Sequence, residues 1–142
     1  MSRQAVRLIV LVVVLAASWF LGHQKNAPIS ASAPVVEAGA AARQTWGRPE
    51  TLPDHFARHG QDFQARDADD YAAQAAAFLQ RAKTTSLPAK RASDGSLRIY
   101  DAATDTFGAY NANGTTRSFF KPGSAGYFDR QPGESIDLRT AR

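Results

Sequence analysis

The 142-residue chain contains no cysteine. That absence excludes disulfide support outside the cytoplasm, a thiolate nucleophile, a zinc-thiolate centre and a lipoprotein anchor. Stability must come from a packed core, and any nucleophile must be oxygen, nitrogen or water. Histidine is scarce as well: of the three in the chain, His23 stands apart, and only His55 and His59 lie near one another. No internal repeat is visible.

The longest apolar run, over residues 8–21, is broken only by Ser18 and follows Arg3 and Arg7. A basic start ahead of such a run is the pattern of an export signal. The run is shorter than the roughly twenty apolar residues of a relaxed bilayer span, yet it can be retained as an anchor. Residues 29–31 and 31–33 are small-residue candidates for cleavage. Residues 1–22 are therefore read as a signal peptide or N-terminal membrane anchor. The basic flank stays inside, which places the C-terminal part outside the cytoplasm: periplasmic, secreted or anchored to the inner membrane. Residues 23–50 are rich in Ala, Ser and Pro with no period, which predicts a flexible spacer.

The formal charge of +4 overstates the basicity of the exported part, because Arg3, Arg7 and Lys25 belong to the leader region. Without them, 14 basic residues face 13 acidic ones. The distribution is uneven. Residues 50–70 hold six acids and two arginines, whereas from Arg81 onward there are ten Lys/Arg and six Asp/Glu. A basic C-terminal half suits a polyanion, and a solvated charged surface is the ordinary alternative.

The domain is expected over 51–122. Thr51 as a capping residue, Pro53, Asp54 in the first turn and Gly60 as a stop predict a short helix over 52–59. Asp67 can cap a second helix with Asp70 at its third position, and Tyr71, Ala75, Phe78, Leu79 and Ala82 follow at helical spacing. After Pro88 the pattern changes to short segments between turns, with strands over 97–101, 106–110 and 115–121 and a weak one near 89–92. Connections this short force antiparallel neighbours. The expected fold class is α+β, with two N-terminal helices packed on a three- to four-stranded antiparallel meander. Phe56, Tyr71, Phe78, Leu79, Ile99 and Phe107 are the expected core. Residues 123–142 read as a loop-rich tail, with Tyr127 and Phe128 positioned to dock back.

His55 and His59 are four residues apart, which on a helix puts both imidazoles on one face, about one turn from each other. Histidine exchanges protons near neutrality, so the pair is the leading candidate for chemistry. A zinc site would need further ligands, and no Glu follows His55 to act as a base. The metal-independent RNA cleavage that a resemblance to toxin nuclease domains implies needs a base for the 2′-OH proton, an acid for the leaving oxygen, and donors around the phosphorane charge. His59 can serve as base or acid, with His55 as partner or charged donor. Arg98 and Lys121 can neutralise phosphate, and Ser118 can donate to a nonbridging oxygen. Tyr100 or Phe120 can stack a base, and Arg117 completes the substrate-binding set. Ordinary alternatives stand beside these: surface charges for the cations, core positions for the aromatics.

The ordered string His55, His59-Gly60, Asp62-Phe63, Tyr71, Ala75, Phe78-Leu79, Arg98, Tyr100-Asp101, Thr104, Phe107-Gly108, Asn113-Gly114, Ser118, Phe120-Lys121-Pro122 resembles C-terminal nuclease domains of bacterial polymorphic and contact-dependent inhibition toxins. More distantly it is similar to the colicin D tRNase, in the barnase/EndoU/colicin/RelE-like superfamily. The resemblance covers residues 51–122. It implies a metal-independent endoribonuclease without a cofactor, acting on RNA, with tRNA among the targets. It implies His59 as general acid/base and Ser118 as a contributor on the last strand. Colicin D-like domains place a lysine shortly before their histidine. Here Arg58 and His55 occupy that region, so the cationic role moves to His55, Lys121 or Arg98. The implied partners are RNA, an immunity or inhibitor protein, and the membrane through an uncleaved N-terminal segment, around a monomer. The competing expectation is a non-catalytic, membrane-anchored or periplasmic module that binds a protein partner.

Overall fold

The computed structural model describes residues 33–141. The leader expected over 1–22 lies outside them. Among the described residues no helix is long and apolar enough to cross a membrane. Over the described residues the fold is α+β: three helices and a five-stranded antiparallel sheet. The helices are α1 (Ala33–Gln44), α2 (Leu52–His59) and α3 (Ala68–Thr84), with single 3-10 turns before and after α2. The strands are β1 (Ala89–Arg91), β2 (Leu97–Asp101), β3 (Thr106–Tyr110), β4 (Thr116–Phe120) and β5 (Glu134–Ile136), arranged β4-β3-β2-β1-β5.

Local signals account for α2 and α3. The Asp67 carboxylate accepts from the Asp70 amide at 2.7 Å, and Asp69 and Asp70 in the first turn with Arg81 and Lys83 in the last complement the helix dipole. On α2, Asp54 pairs with Arg58 one turn on, at 2.6 Å. Thr51 stands at the N-cap of α2 as expected, but its side chain makes no capping bond. Its hydroxyl donates to the Arg48 carbonyl at 2.8 Å and accepts from the Trp46 indole at 3.1 Å. Gly60 is the C-cap at which α2 ends, as expected, with a φ of −58°, and a 3-10 turn follows. A Cβ there would come within 2.4 Å of the Phe56 ring, so glycine is needed for packing.

The stripe Tyr71, Ala75, Phe78, Leu79 and Ala82 of α3 is buried against Ile99, Tyr110 and Phe119 of the sheet. Phe107 is buried as expected, while Phe56 is half-buried at the edge of this core. Two tyrosine hydroxyls tie helix to sheet: Tyr71 donates to the Phe119 carbonyl, and Tyr110 donates to the Ala75 carbonyl at 2.8 Å. Burial pushes both phenols well above their usual range, so both remain neutral donors. Tyr71→Phe leaves the Phe119 carbonyl without that partner in a dry environment. The expected cost is about 1–3 kcal/mol, read as a lower urea midpoint at unchanged slope.

Three expectations change. The spacer expected through residue 50 contains α1, and Trp46 is only 2% exposed and belongs to the core, so the folded unit begins before Thr51. The tail expected as loop contains β5, whose Ile136 pairs with Ala89, and Leu138 is buried. The meander of three or four strands therefore gains a fifth at the β1 edge. Between β4 and β5 the chain crosses the sheet face opposite α3. There Tyr127 meets Phe107 and Phe120 edge-on at 5.0 and 5.6 Å, and Phe128 stacks on Tyr100 at 5.8 Å. The Lys90 ammonium holds this crossing through the carbonyls of Phe128, Asp129 and Gln131 at 3.2, 2.8 and 2.9 Å.

Candidate functional site

Residues 45–47 form the start of the site, because they add to the free edge of β4. The Gly47 amide donates to the Thr116 carbonyl at 2.8 Å, and the Thr116 amide donates to the Thr45 carbonyl at 2.7 Å. The chain then turns through Pro49–Thr51 into α2, which brings His55 back over Trp46. The rings meet edge to face, centroids 5.1 Å apart at 61°. Beside them opens a cleft of about 410 Å³. Trp46, Thr51 and His55 line one side, and Arg48, Asn111, Thr116 and Arg117 complete it.

Arg117 reaches the cleft from a β-bulge. Ala109 pairs with Ser118 but Tyr110 pairs with Thr116, which leaves Arg117 as the extra residue of β4. Such an insertion re-aims a side chain out of the regular alternation. The guanidinium lies 3.8 Å from Asp94 and remains about half exposed. Arg48 is more open, with Glu50 at 3.3 Å. Asn111 donates to the Thr115 hydroxyl at 2.8 Å. A side chain at position 47 would bring a Cβ to 2.4 Å from the Asn111 amide nitrogen, so glycine keeps this wall in place.

Two buried polar atoms of the cleft-lining residues, His55 Nδ1 and the Thr116 hydroxyl, have no hydrogen-bond partner among the described residues. Buried polar groups are paired in the great majority of cases, so these two atoms are exceptions, and both belong to residues that line the cleft. Burial depresses the His55 pKa below 6.5, reinforced by the positive charges of Arg58, His59 and Arg48 and opposed by Asp54. His55 is thus kept as an uncharged imidazole at neutrality, which is the form that accepts a proton.

The sign of this shift gives a stability prediction. Because the native pKa is the lower one, the unfolded chain takes up the proton first as pH falls below about 6.5. Stability drops from there down to the native value and then levels. A His55→Gln variant is expected to lose this part of the acid slope, measured as denaturation midpoints between pH 7 and pH 5. Parallel pH profiles for the two proteins would contradict it.

The other predicted site residues are distributed around the sheet. His59 lies one turn from His55, with ring centroids 6.4 Å apart. Its ring is 5.4 Å from Phe120, and its Nδ1 is 3.9 Å from the Asp62 carboxylate. Arg98 and Ser118 flank Ala109 in one cross-strand row on the face away from α3. Arg98 donates to the Ser96 hydroxyl at 2.6 Å. Tyr100 is on that same face, stacked on Phe128 and bonded to Asp105 at 2.9 Å. Lys121 is exposed on the α3 side, its ammonium 5.8 Å from the Phe63 ring centre. The structure therefore groups His55 with Arg117 at the cleft, places His59 with Phe120 beside it, and sets Arg98, Ser118, Tyr100 and Lys121 elsewhere.

Trp46, Arg48, Asn111 and Thr116 are the cleft residues that sequence reasoning missed. A tryptophan and an arginine closing an otherwise Ala-rich stretch were the available signal. Among the described residues no group of three or more His, Asp or Glu side chains is placed to hold a metal ion. No protein-family model matches the chain, and no curated protein matches it.

Proposed function

We propose that the folded unit is a metal-independent endoribonuclease acting at the cleft beside Trp46. The observation that carries the reading is His55, its buried Nδ1 without a partner among the described residues, at the edge of a cleft that also presents Arg48, Arg117 and Asn111. In the proposed reaction His55 takes the proton of the ribose 2′-OH. The 2′-oxygen then bonds to phosphorus, the bond from phosphorus to the 5′-oxygen breaks, and His59 as general acid gives a proton to that leaving oxygen. The products are a 2′,3′-cyclic phosphate and a 5′-hydroxyl end. Arg48 and Arg117 offset the charge that gathers on the nonbridging oxygens, and Asn111 supplies a neutral donor. Phe120 is positioned against His59 and can order it.

The likeness to toxin nuclease domains and the basic C-terminal half support RNA as substrate. An export-signal pattern over 1–22 supports action outside the cytoplasm of the producing cell, with an inhibitor protein as the expected safeguard.

The chemistry has a direct test. An RNA oligonucleotide is expected to yield cyclic-phosphate and 5′-hydroxyl ends, and a 2′-deoxy substitution at the cleaved position is expected to block that cut. Cleavage that leaves 5′-phosphate ends, or that tolerates the deoxy sugar, would reject the 2′-OH mechanism.

A further inference from the structure

We infer that Trp46 is a positioning residue for His55: residues 45–47 join the edge of β4 and thereby hold an indole that orients the imidazole and shields it from water. The catalytic consequence rests on the function proposed above, whereas the effect on His55 is independent of it. Trp46 is fixed from three directions. Its backbone neighbours pair with Thr116, its indole N–H donates to Thr51 at 3.1 Å, and its ring packs on Tyr71 at 5.6 Å. What remains is the contact with His55, and an indole anchored this way presents a rigid wall to it.

The charged and titratable groups acting on His55 come from the flanking elements. Arg58, His59 and Asp54 belong to α2, Arg48 precedes it, and Arg117 lines the same cleft from β4. None of these changes when the indole is removed; what changes is water access. A smaller side chain at position 46 lets solvent reach the imidazole, and a hydrated imidazole charges more readily. The indole also borders the nucleophile-activating base without lying among the groups assigned to the reacting atoms, so its influence passes through His55.

The experiment follows the His55 imidazole resonances by NMR across pH in the full chain, alongside the pH profile of kcat/KM on RNA. Trp46→Leu keeps apolar bulk but removes the ring, and is expected to raise the His55 midpoint by about half a pH unit or more. Thr51→Val frees the indole N–H while keeping side-chain shape, and is expected to raise it by less. Trp46→Phe is expected to lie closer to the parent than Trp46→Leu. The acid limb of kcat/KM is expected to move in step with the midpoint. An unchanged His55 midpoint in folded Trp46→Leu overturns the inference; should that variant fail to fold, unchanged midpoints in both Trp46→Phe and Thr51→Val overturn it. If the chain cleaves no RNA, the proposed function falls, and the titration alone still decides the role of Trp46.

Discussion

His55→Ala is expected to lower kcat/KM for RNA by at least the hundredfold or so typical of a missing general base, with little change in the thermal unfolding midpoint. The asymmetry follows from the surroundings of His55. Its ring sits at the cleft rather than in the middle of the core, and among the described residues its buried Nδ1 has no partner to leave stranded. Removing it therefore creates no new unpaired group, while the proton acceptor is gone. The His55→Ala/His59→Ala protein is expected to lose far less than the product of the two single effects, because base and acid act as a unit. Arg117→Ala is expected to weaken RNA binding and flatten its dependence on salt, since a guanidinium that no longer meets a phosphate releases no counterion there. Full activity in a folded double-histidine variant would remove this site from consideration.

Trp46→Ala is expected to cost about 3–5 kcal/mol, the range for truncating a buried large aromatic. Small domains hold only about 5–15 kcal/mol in total, so the urea midpoint should fall by a large fraction. The reason is that Trp46 joins four parts of the molecule at once: β4 through its backbone neighbours, Thr51 through its N–H, Tyr71 through its ring, and His55 through its edge. A protein truncated to begin at Thr51 is expected to be far less stable than one beginning at Pro34, because it lacks this anchor and the pairing to Thr116. Equal midpoints for those two proteins would show that the N-terminal segment only rests on the domain. Denaturation of both by urea, followed by tyrosine fluorescence and far-ultraviolet circular dichroism, makes the comparison without relying on the indole itself.

The parts of the fold legible in the sequence were those with a period and a punctuated end. α3 announced itself through Asp67 and the spacing of Tyr71, Ala75, Phe78, Leu79 and Ala82, and β2 to β4 through alternation between Asn, Asp and Gly turns. α1 was hidden because its residues are mostly small and include Pro34 and Gly39, so the segment reads as a low-complexity spacer. β5 was hidden for a different reason. Its three residues carry no pattern of their own, and pairing with Ala89–Arg91 is a long-range choice made after the chain has crossed the sheet. The histidine pair was visible as a one-face motif. The cleft was not, because Trp46 and Arg48 arrive from a segment that looks like linker, Asn111 from a turn, and Arg117 from a bulge that shifts the register between Ala109 and Tyr110. A bulge cannot be read from alternation, since it is the failure of alternation.

Incubation of purified residues 34–142 with RNA in excess EDTA, beside the same protein carrying His55→Ala, tests the central claim most directly. The expected result is cleavage by the parent protein that EDTA does not reduce, and a loss of about a hundredfold or more in the variant. RNA that stays intact under both conditions, or activity that EDTA abolishes and zinc restores, would contradict it.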